Sequence, residues 1–158
     1  MDTIFSAFEK GPFQYIVVDQ YKKREIETIK VSILEDDELM QDLLKNVMER
    51  TAGEYFRADV MLVQDRDSIL NSNWNHSSDT HVVMVNDVLK KRNGLEILHT
   101  LRRMPNHKKY IIIMLTKRRS EEDMLYVFEQ GADEYIRKPF DIRLIEAKIK
   151  SLLRRLRL

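Results

Sequence analysis

Short apolar runs alternate along this chain with stretches in which apolar residues recur every three or four positions. Runs of the first kind predict buried strands, and stretches of the second kind predict amphipathic helices. The predicted strands are KVSIL (30–34), ADVMLVQ (58–64), HVVMV (81–85), YIIIMLT (110–116) and DEYI (133–136). This alternation predicts an α/β fold, in which helices cover both faces of a parallel sheet.

A predicted helix follows each predicted strand. The second helix has a weaker pattern and runs into the polar loop 71–79. For most of the other four helices, a helix-capping residue at the start or a glycine at the end supports the predicted limits. These four helices span about 39–53, 94–104, 120–131 and 142–155.

The first 29 residues do not follow this alternation. GPFQYIVVD (11–19) predicts a strand or a turn and a strand, and QYKKREIETI (20–29) predicts a charged helical connector. Together they are too short for a second domain. We therefore predict an N-terminal extension over 1–29, which packs on the main domain or on a partner, and one domain over 30–158.

Composition excludes several classes of function. Apolar residues make up 43% of the chain and charged residues 34%, an ordinary balance for a globular protein. No apolar stretch reaches the roughly 18 residues of a membrane span, and no signal-peptide pattern is present. The lack of cysteine excludes disulfides and thiolate catalysis. We expect a cytoplasmic protein with no membrane partner, and the net charge of +1 indicates no polyanion as a global partner.

Polar side chains follow four of the predicted strands. The acids 35–37 follow the first strand, Asn86 and Asp87 the third, Thr116 the fourth and Lys138 the fifth. Because the carboxyl ends of parallel strands meet in one crevice, we expect these side chains to lie together. Carboxylates hold Mg²⁺, while a hydroxyl and an ammonium group bind phosphoryl oxygens. The alternative is that each residue caps a helix or lies in a solvated loop.

These motifs resemble those of the receiver domains of two-component response regulators. The resemblance covers about Lys30 to Leu156 and is carried by the acidic pair in ILEDDE, the loop from Asn86 to Gly94, the pair LT at 115–116, and GADEYIRKPF (131–140). It implies a doubly wound, flavodoxin-like receiver fold, with a five-stranded parallel sheet in the order 2-1-3-4-5.

The resemblance also implies a role for each matching residue. Glu35 and Asp36 match the metal-binding acids, and Thr116 matches the switch hydroxyl. Tyr135 matches the aromatic residue that rotates with that hydroxyl. Lys138 matches the cation beside the phosphoryl group, and the peptide bond that follows it is often cis in this family.

Asn86 departs from the family pattern. The family has an aspartate phosphoacceptor eight residues before the loop glycine, and here that position holds Asn86. An uncharged amide cannot form an acyl phosphate. The substitution also removes one negative metal ligand, so we expect no cofactor and at most weak binding of Mg²⁺. Because an amide can donate to Glu35 or Asp36, the pocket can close without a metal.

Asp87 is the alternative phosphoacceptor. Successive residues of a strand point to opposite faces of the sheet. We therefore expect the side chain of Asp87 to be directed away from Lys138, unless the end of the strand bulges.

Two basic clusters lie on predicted loops at the same rim. Such clusters are ordinarily a solvated surface. The alternative is a cationic rim that attracts an acidic protein, a nucleotide or a phosphate. The residues of this basic rim are Lys90, Lys91, Arg92, Lys117, Arg118 and Arg119.

The predicted helix 120–131 is apolar on more than one face, because residues 124–128 are consecutively apolar. The resemblance to transcription-factor receivers implies a homodimer through helix 4, strand 5 and helix 5, and we predict that this dimer forms without a phosphodonor. Asp133–Lys148 and Glu134–Arg155 are the candidate cross-subunit pairs, and Met124 and Leu144 would form an apolar contact. The alternative is that these charges are exposed to solvent, where each would contribute less than about 1 kcal/mol to stability. The dimer face comprises Met124, Phe128, Asp133, Glu134, Leu144, Lys148 and Arg155.

Three functions are consistent with these residues. The leading prediction is an atypical receiver that is not an enzyme and that signals through binding and dimerisation without phosphorylation. The second is a receiver that is phosphorylated on Asp87. The third is a regulatory receiver that controls an output domain after Leu158, which would bind DNA or make a cyclic nucleotide.

Overall fold

The computed structural model describes residues 27–54, 56–63, 69, 79–90, 93–105 and 107–156. Most of the predicted extension, the weaker second helix and most of the loop 71–79 lie outside these residues. The elements are β1 (Thr28–Leu34), α1 (Glu38–Ala52), β2 (Arg57–Leu62), β3 (His81–Asn86), α2 (Gly94–Arg102), a 3₁₀ turn (His107–Lys109), β4 (Tyr110–Thr116), α3 (Glu121–Glu129), β5 (Glu134–Arg137) and α4 (Ile142–Leu156).

The five strands form one parallel sheet in the order β2-β1-β3-β4-β5. This order confirms the predicted doubly wound fold. The helix counted as the fourth in the sequence is α3 here, and the last helix is α4. No helix in the described part of the chain is long and apolar enough to cross a membrane.

The start of β1 corrects one predicted boundary. Residues 28 and 29 belong to the strand and pair with Arg57 and Ala58, so they are not part of a helical connector. Ile29 is 1% exposed in the core. The run TIKVSI is rich in β-branched residues, which favour a strand. The charged residues that precede this run led to the prediction of a helical connector up to residue 29. At the other edge, β5 begins at Glu134, so Asp133 precedes the strand.

Alternation along the strands sorts the core into two layers. Val82 and Met84 of β3 pack on the side of α1 and α4. Val83 and Val85 pack on the opposite side, with α2 and α3. Because the side chains of a strand alternate between the two faces, residues at the carboxyl ends of the strands are also divided between these two sides.

Local capping and a close backbone approach position the loops at the carboxyl edge. The side chains of Asp37, Asn93 and Ser120 accept backbone N–H groups at the starts of α1, α2 and α3. Gly94 donates its N–H to the carbonyl of Asp87. A Cβ at Gly94 would lie 2.2 Å from the carbonyl oxygen of Asn86, so a side chain there would collide with the backbone of the site.

A buried polar pair lies toward the opposite edge of the sheet. Ser32 Oγ and His81 Nε2 are 2.7 Å apart, and both residues are fully buried. The ring of His81 also lies 5.3 Å from that of Tyr110, centroid to centroid. Burial, together with the positive charges of Lys109 and Lys30, lowers the pKa of His81 to about 4. His81 is therefore neutral at pH 7.

Candidate functional site

A cavity of about 580 Å³ opens at the carboxyl edge of the sheet. This is the edge at which open α/β sheets bind their ligands. Every strand-end residue that the sequence indicated lines this cavity, with the exception of Thr116. Thr116 contacts Asp87 and Arg118, which do line it. The lining residues are Glu35, Asp36, Asp37, Met40, Asn86, Asp87, Val88, Lys90, Lys117, Arg118 and Lys138.

The carboxylate of Glu35 is the centre of the first group of contacts. Asn86 Nδ2 lies 3.2 Å from Glu35 Oε1 and 3.0 Å from Oε2. Lys138 Nζ donates to Oε2 at 2.9 Å, and the N–H of Asp37 donates to Oε1 at 3.2 Å. The side chain of Glu35 is only 3% exposed. Its buried charge is therefore balanced by one ammonium group and satisfied by an amide and a backbone N–H.

The contacts of Asn86 fix the orientation of its amide. A carboxylate accepts hydrogen bonds only, so the NH₂ group must face Glu35. The opposite atom, Asn86 Oδ1, accepts the N–H of Val88 at 3.2 Å. Asn86 is 8% exposed, which leaves it buried with both ends of its amide used.

The contacts of Asn86 and Asp36 determine which oxygen atoms this site presents to a Mg²⁺ ion. Asn86 turns its NH₂ group toward Glu35, and magnesium requires oxygen ligands in a strict octahedral arrangement. Asp36 is exposed and accepts the N–H of Lys90. Among the described residues, no group of three or more acids or histidines is placed to hold a metal ion.

Asp87 and Thr116 belong to a second group of contacts. The hydroxyl of Thr116 donates to Asp87 Oδ2 at 2.6 Å and accepts the N–H of Arg118 at 3.0 Å. Arg118 Nε lies 3.3 Å from the same carboxylate oxygen. Asp87 is 6% exposed, so its carboxylate is a buried charge with a hydroxyl and a guanidinium as partners.

Strand alternation accounts for the separation of the two groups. Asp87 lies two residues after Val85 and is therefore on the same face of the sheet as Val83 and Val85. The partners of its carboxylate are Thr116 and Arg118. Asn86 has the opposite parity and contacts Glu35. The sequence predicted one crevice for Asn86, Asp87, Thr116 and Lys138, and it did not predict the separate bond between Thr116 and Asp87. The available signal was that Thr116 has the parity of Ile112 and Met114, which pack on the same side as Val83 and Val85.

The second group extends to Tyr135. The hydroxyl of Tyr135 donates to the carbonyl oxygen of Arg118 at 2.7 Å, and the residue is 3% exposed. Its ring lies 6.4 Å from that of Phe128, centroid to centroid. The N–H of Lys138 donates to the carbonyl of Thr116, and the Lys138-Pro139 bond is cis, as the motif predicts.

The basic rim is described only in part. Lys90, Lys117 and Arg118 line the cavity, whereas residues 91 and 92 lie outside the described residues. Arg119 instead lines a second cavity, of about 430 Å³, between α3, β5 and α4.

This second cavity coincides with much of the predicted dimer face. Met124, Phe128 and Leu144 line it, and beside them Leu125 is exposed on α3. Phe128 is 40% exposed and Leu144 is 53% exposed. Large exposed apolar side chains that are grouped in this way often mark an interaction surface.

Asp133, Glu134 and Lys148 of the dimer face have partners within the chain. The carboxylate of Asp133 accepts from Arg102 and from the N–H of Ile112. Lys148 donates to Glu134 at 3.1 Å and to the carbonyl of Tyr135 at 2.8 Å. Arg155 is exposed near the end of α4. The proposed pairs between subunits would therefore share or exchange these intrachain contacts.

Comparison with known proteins identifies the family. The family model of the response regulator receiver domain matches residues 31–150. The chain belongs to this receiver-domain family. The matched range begins within β1 and ends within α4, so it contains both groups of site contacts.

Curated relatives of this receiver domain are transcriptional regulators. The chain is 34% identical over 126 residues to the transcriptional regulatory protein CpxR of Escherichia coli K12, covering 80% of this chain and 50% of CpxR. It is 30% identical to PhoP of Bacillus subtilis, the regulatory protein of alkaline phosphatase synthesis, covering 80% of this chain and 49% of PhoP. The chain thus spans about half the length of these relatives.

Solved structures show the same fold. The receiver domain of a DNA-binding response regulator from Colwellia psychrerythraea matches with a TM-score of 0.67 at 21% identity, over 80% of this chain and 98% of that one. The OmpR/PhoB homologue DrrB of Thermotoga maritima matches with a TM-score of 0.60 at 26% identity, over 83% of this chain and 54% of DrrB.

Proposed function

We propose that this receiver domain signals through binding and forms no acyl phosphate. The observation that carries the proposal is the pair of contacts from the Asn86 amide to the Glu35 carboxylate. The residue at the acceptor position is uncharged and has no nucleophilic oxygen, so it cannot attack a phosphodonor. The domain acts as a regulator and not as an enzyme, in the cytoplasm.

Asp87 is a poor substitute for the acceptor in this arrangement. Its Oδ2 is held by the hydroxyl of Thr116 and faces Arg118 Nε at 3.3 Å. Attack on a phosphodonor would first have to break these contacts within a buried site. The lysine that would stabilise the transferred group, Lys138, is paired with Glu35 and not with Asp87.

Weak binding of Mg²⁺ belongs to the same proposal. Lys138 and Asn86 already satisfy Glu35. The other acids that line the cavity also have partners: Asp36 accepts the N–H of Lys90, Asp37 accepts the N–H of Met40, and Asp87 accepts the hydroxyl of Thr116. A metal would have to displace the ammonium group of Lys138 from Glu35 and compete with the present partners of the other carboxylates. We therefore propose that a metal contributes little to the resting state of the site.

The output of the domain would be a homodimer through the dimer face. Met124, Phe128 and Leu144 surround the cavity between α3, β5 and α4, and a second copy would cover them. Burial of apolar surface contributes roughly 25 cal/mol per Å² and does not weaken with salt as ion pairs do. Within a longer protein, such a dimer would place two output domains side by side.

A second candidate partner is an acidic protein, a nucleotide or a phosphate at the basic rim. Lys90 and Lys117 are exposed at the mouth of the first cavity. An anion there would meet two cations whose side chains extend into solvent. The acids that line the same cavity make this the weaker proposal.

Sedimentation velocity tests the proposed output. We expect the natural protein to dimerise at tens of micromolar, with the same dissociation constant whether or not Mg²⁺ and acetyl phosphate are present. Met124→Glu places a charge in the apolar contact and should give a monomer. Glu122→Gln, an exposed change on the same helix, is the matched control and should dimerise normally. A monomer in the natural protein, unchanged by Met124→Glu, would reject this output.

A further inference from the structure

A continuous series of contacts leads from Asp87 to the second cavity. The carboxylate of Asp87 accepts the hydroxyl of Thr116, and the same hydroxyl oxygen accepts the N–H of Arg118. The carbonyl oxygen of Arg118 accepts the hydroxyl of Tyr135. Tyr135 forms part of the wall of the second cavity, next to Phe128.

Each step of this series restricts the next one. The hydroxyl of Thr116 can donate only one proton, and that proton goes to an ionised acceptor, which makes the bond stronger than one between neutral groups. With this proton committed, the oxygen of Thr116 presents its lone pairs to the backbone of Arg118. The backbone of Arg118 is then held at its N–H by Thr116 and at its carbonyl by Tyr135, so both peptide units that flank Arg118 are fixed.

Arg118 also fixes the carboxylate itself. Its guanidinium lies 3.3 Å from Asp87 Oδ2 and 3.8 Å from Asp123 Oδ1 on α3. One residue therefore contacts the acid through its side chain and holds the tyrosine through its backbone. The contact with α3 also ties the series to the helix that carries Met124 and Phe128.

We propose that Asp87 is a positioning residue: its carboxylate is a built-in acceptor that holds Thr116, Arg118 and Tyr135 in one arrangement and so fixes the shape of the second cavity. The proposal rests on the proposed function in one respect, namely that no phosphoryl group enters the site. The dimer face would then be set permanently by a side chain of the chain itself, and an input signal would not be required.

The environment of the Tyr135 ring is a direct measure of this arrangement. The chain has six tyrosines, so uniform incorporation of 3-fluorotyrosine gives a small set of ¹⁹F NMR signals, and Tyr135→Phe identifies the one from Tyr135. Tyr110, the first residue of β4, is 1% exposed, and its signal serves as an internal report on the fold.

We expect Asp87→Ala to move the Tyr135 signal or to split it into two exchanging states, while the Tyr110 signal stays in place. Asp87→Ala removes the hydrogen bond from Thr116 to a charged group. We expect this loss to lower the equilibrium constant between the buried position of the Tyr135 ring and any exposed position by about tenfold to a hundredfold. Thr116→Val removes only the hydroxyl and should give the same change, whereas Thr116→Ser keeps the hydroxyl and should restore the natural spectrum. Glu122→Gln, an exposed change on α3 outside this series of contacts, is the matched control and should leave the Tyr135 signal unchanged.

An unchanged Tyr135 signal in a folded Asp87→Ala protein would overturn the proposal. If Asp87→Ala does not fold, the comparison of Thr116→Val with Thr116→Ser decides, and equal spectra for those two would overturn it as well. The experiment is independent of phosphorylation chemistry. An acyl phosphate on the natural protein would reject the proposed function, whereas a silent Tyr135 would reject only the role of Asp87.

Discussion

The Asn86 amide lies within hydrogen-bond distance of both carboxylate oxygens of Glu35, at 3.2 and 3.0 Å. Lys138 Nζ completes the group at 2.9 Å from the same carboxylate. A carboxylate at position 86 would repel Glu35 at these distances, and a cation would be needed to hold both. The amide removes that repulsion and supplies a donor instead.

Magnesium should therefore stabilise a restored acid far more than the natural protein. We expect no resolvable rise in melting temperature with millimolar Mg²⁺ for the natural chain. Asn86→Asp should melt at a lower temperature without metal, because three acids then crowd the site, and should gain stability with Mg²⁺ by mass action. Thermal melts of both proteins with and without Mg²⁺ provide the measurement. A large shift in the natural protein with no further gain in Asn86→Asp would show that position 86 does not control metal binding.

The Lys138–Glu35 pair should contribute strongly to stability because it is buried. The side chains are 14% and 3% exposed, so Lys138→Met leaves an acid without its cation in a poorly solvated site. We expect a loss of about 3 kcal/mol in the free energy of unfolding. Arg143→Met, at an exposed pair with Asp141, is the matched control and should cost less than about 1 kcal/mol. Urea unfolding compares the two, and equal losses would contradict the assignment.

Acid should destabilise the fold through His81. Its pKa in the folded protein is lowered from 6.5 to about 4, so the unfolded chain takes up a proton that the folded one does not. Stability is therefore unaffected above pH 6.5 and falls as the pH drops from 6.5 toward 4, by up to about 3 kcal/mol in total. His81→Gln stays neutral and should reduce this slope. Urea unfolding at several pH values measures it, and equal slopes for the two proteins would count against a buried neutral His81.

Much of the fold was predictable because its signals are local. Each buried strand has an apolar run, and Tyr110–Thr116 was predicted with the observed limits. The strand order came from the motif resemblance, since periodicity does not specify which strands pair. The predicted start of β1 was wrong because the charged stretch 22–27 suggested a helix that continued up to residue 29. Residues 28 and 29 instead pair with β2, and this pairing outweighs the local pattern.

The site was predictable in part. The contact between Asn86 and Glu35 follows from two strand ends at one edge and from the donor capacity of an amide. The bond between Thr116 and Asp87 was missed, because it depends on the parity of two different strands relative to each other. The intrachain partners of Asp133 were also missed, since Arg102 reaches that residue from the end of α2 and no sequence spacing reveals the contact.

Intact-mass spectrometry after incubation with Mg²⁺ and acetyl phosphate tests the central claim most directly. The natural protein should keep its mass, because Asn86 cannot form an acyl phosphate. Asn86→Asp shows whether the rest of the site still supports the transfer, and Asp87→Ala identifies any modification at the neighbouring acid. No gain in mass for the natural protein is the predicted result. A hydroxylamine-labile gain of one phosphoryl group that disappears in Asp87→Ala would contradict the account and establish phosphorylation of this receiver on Asp87.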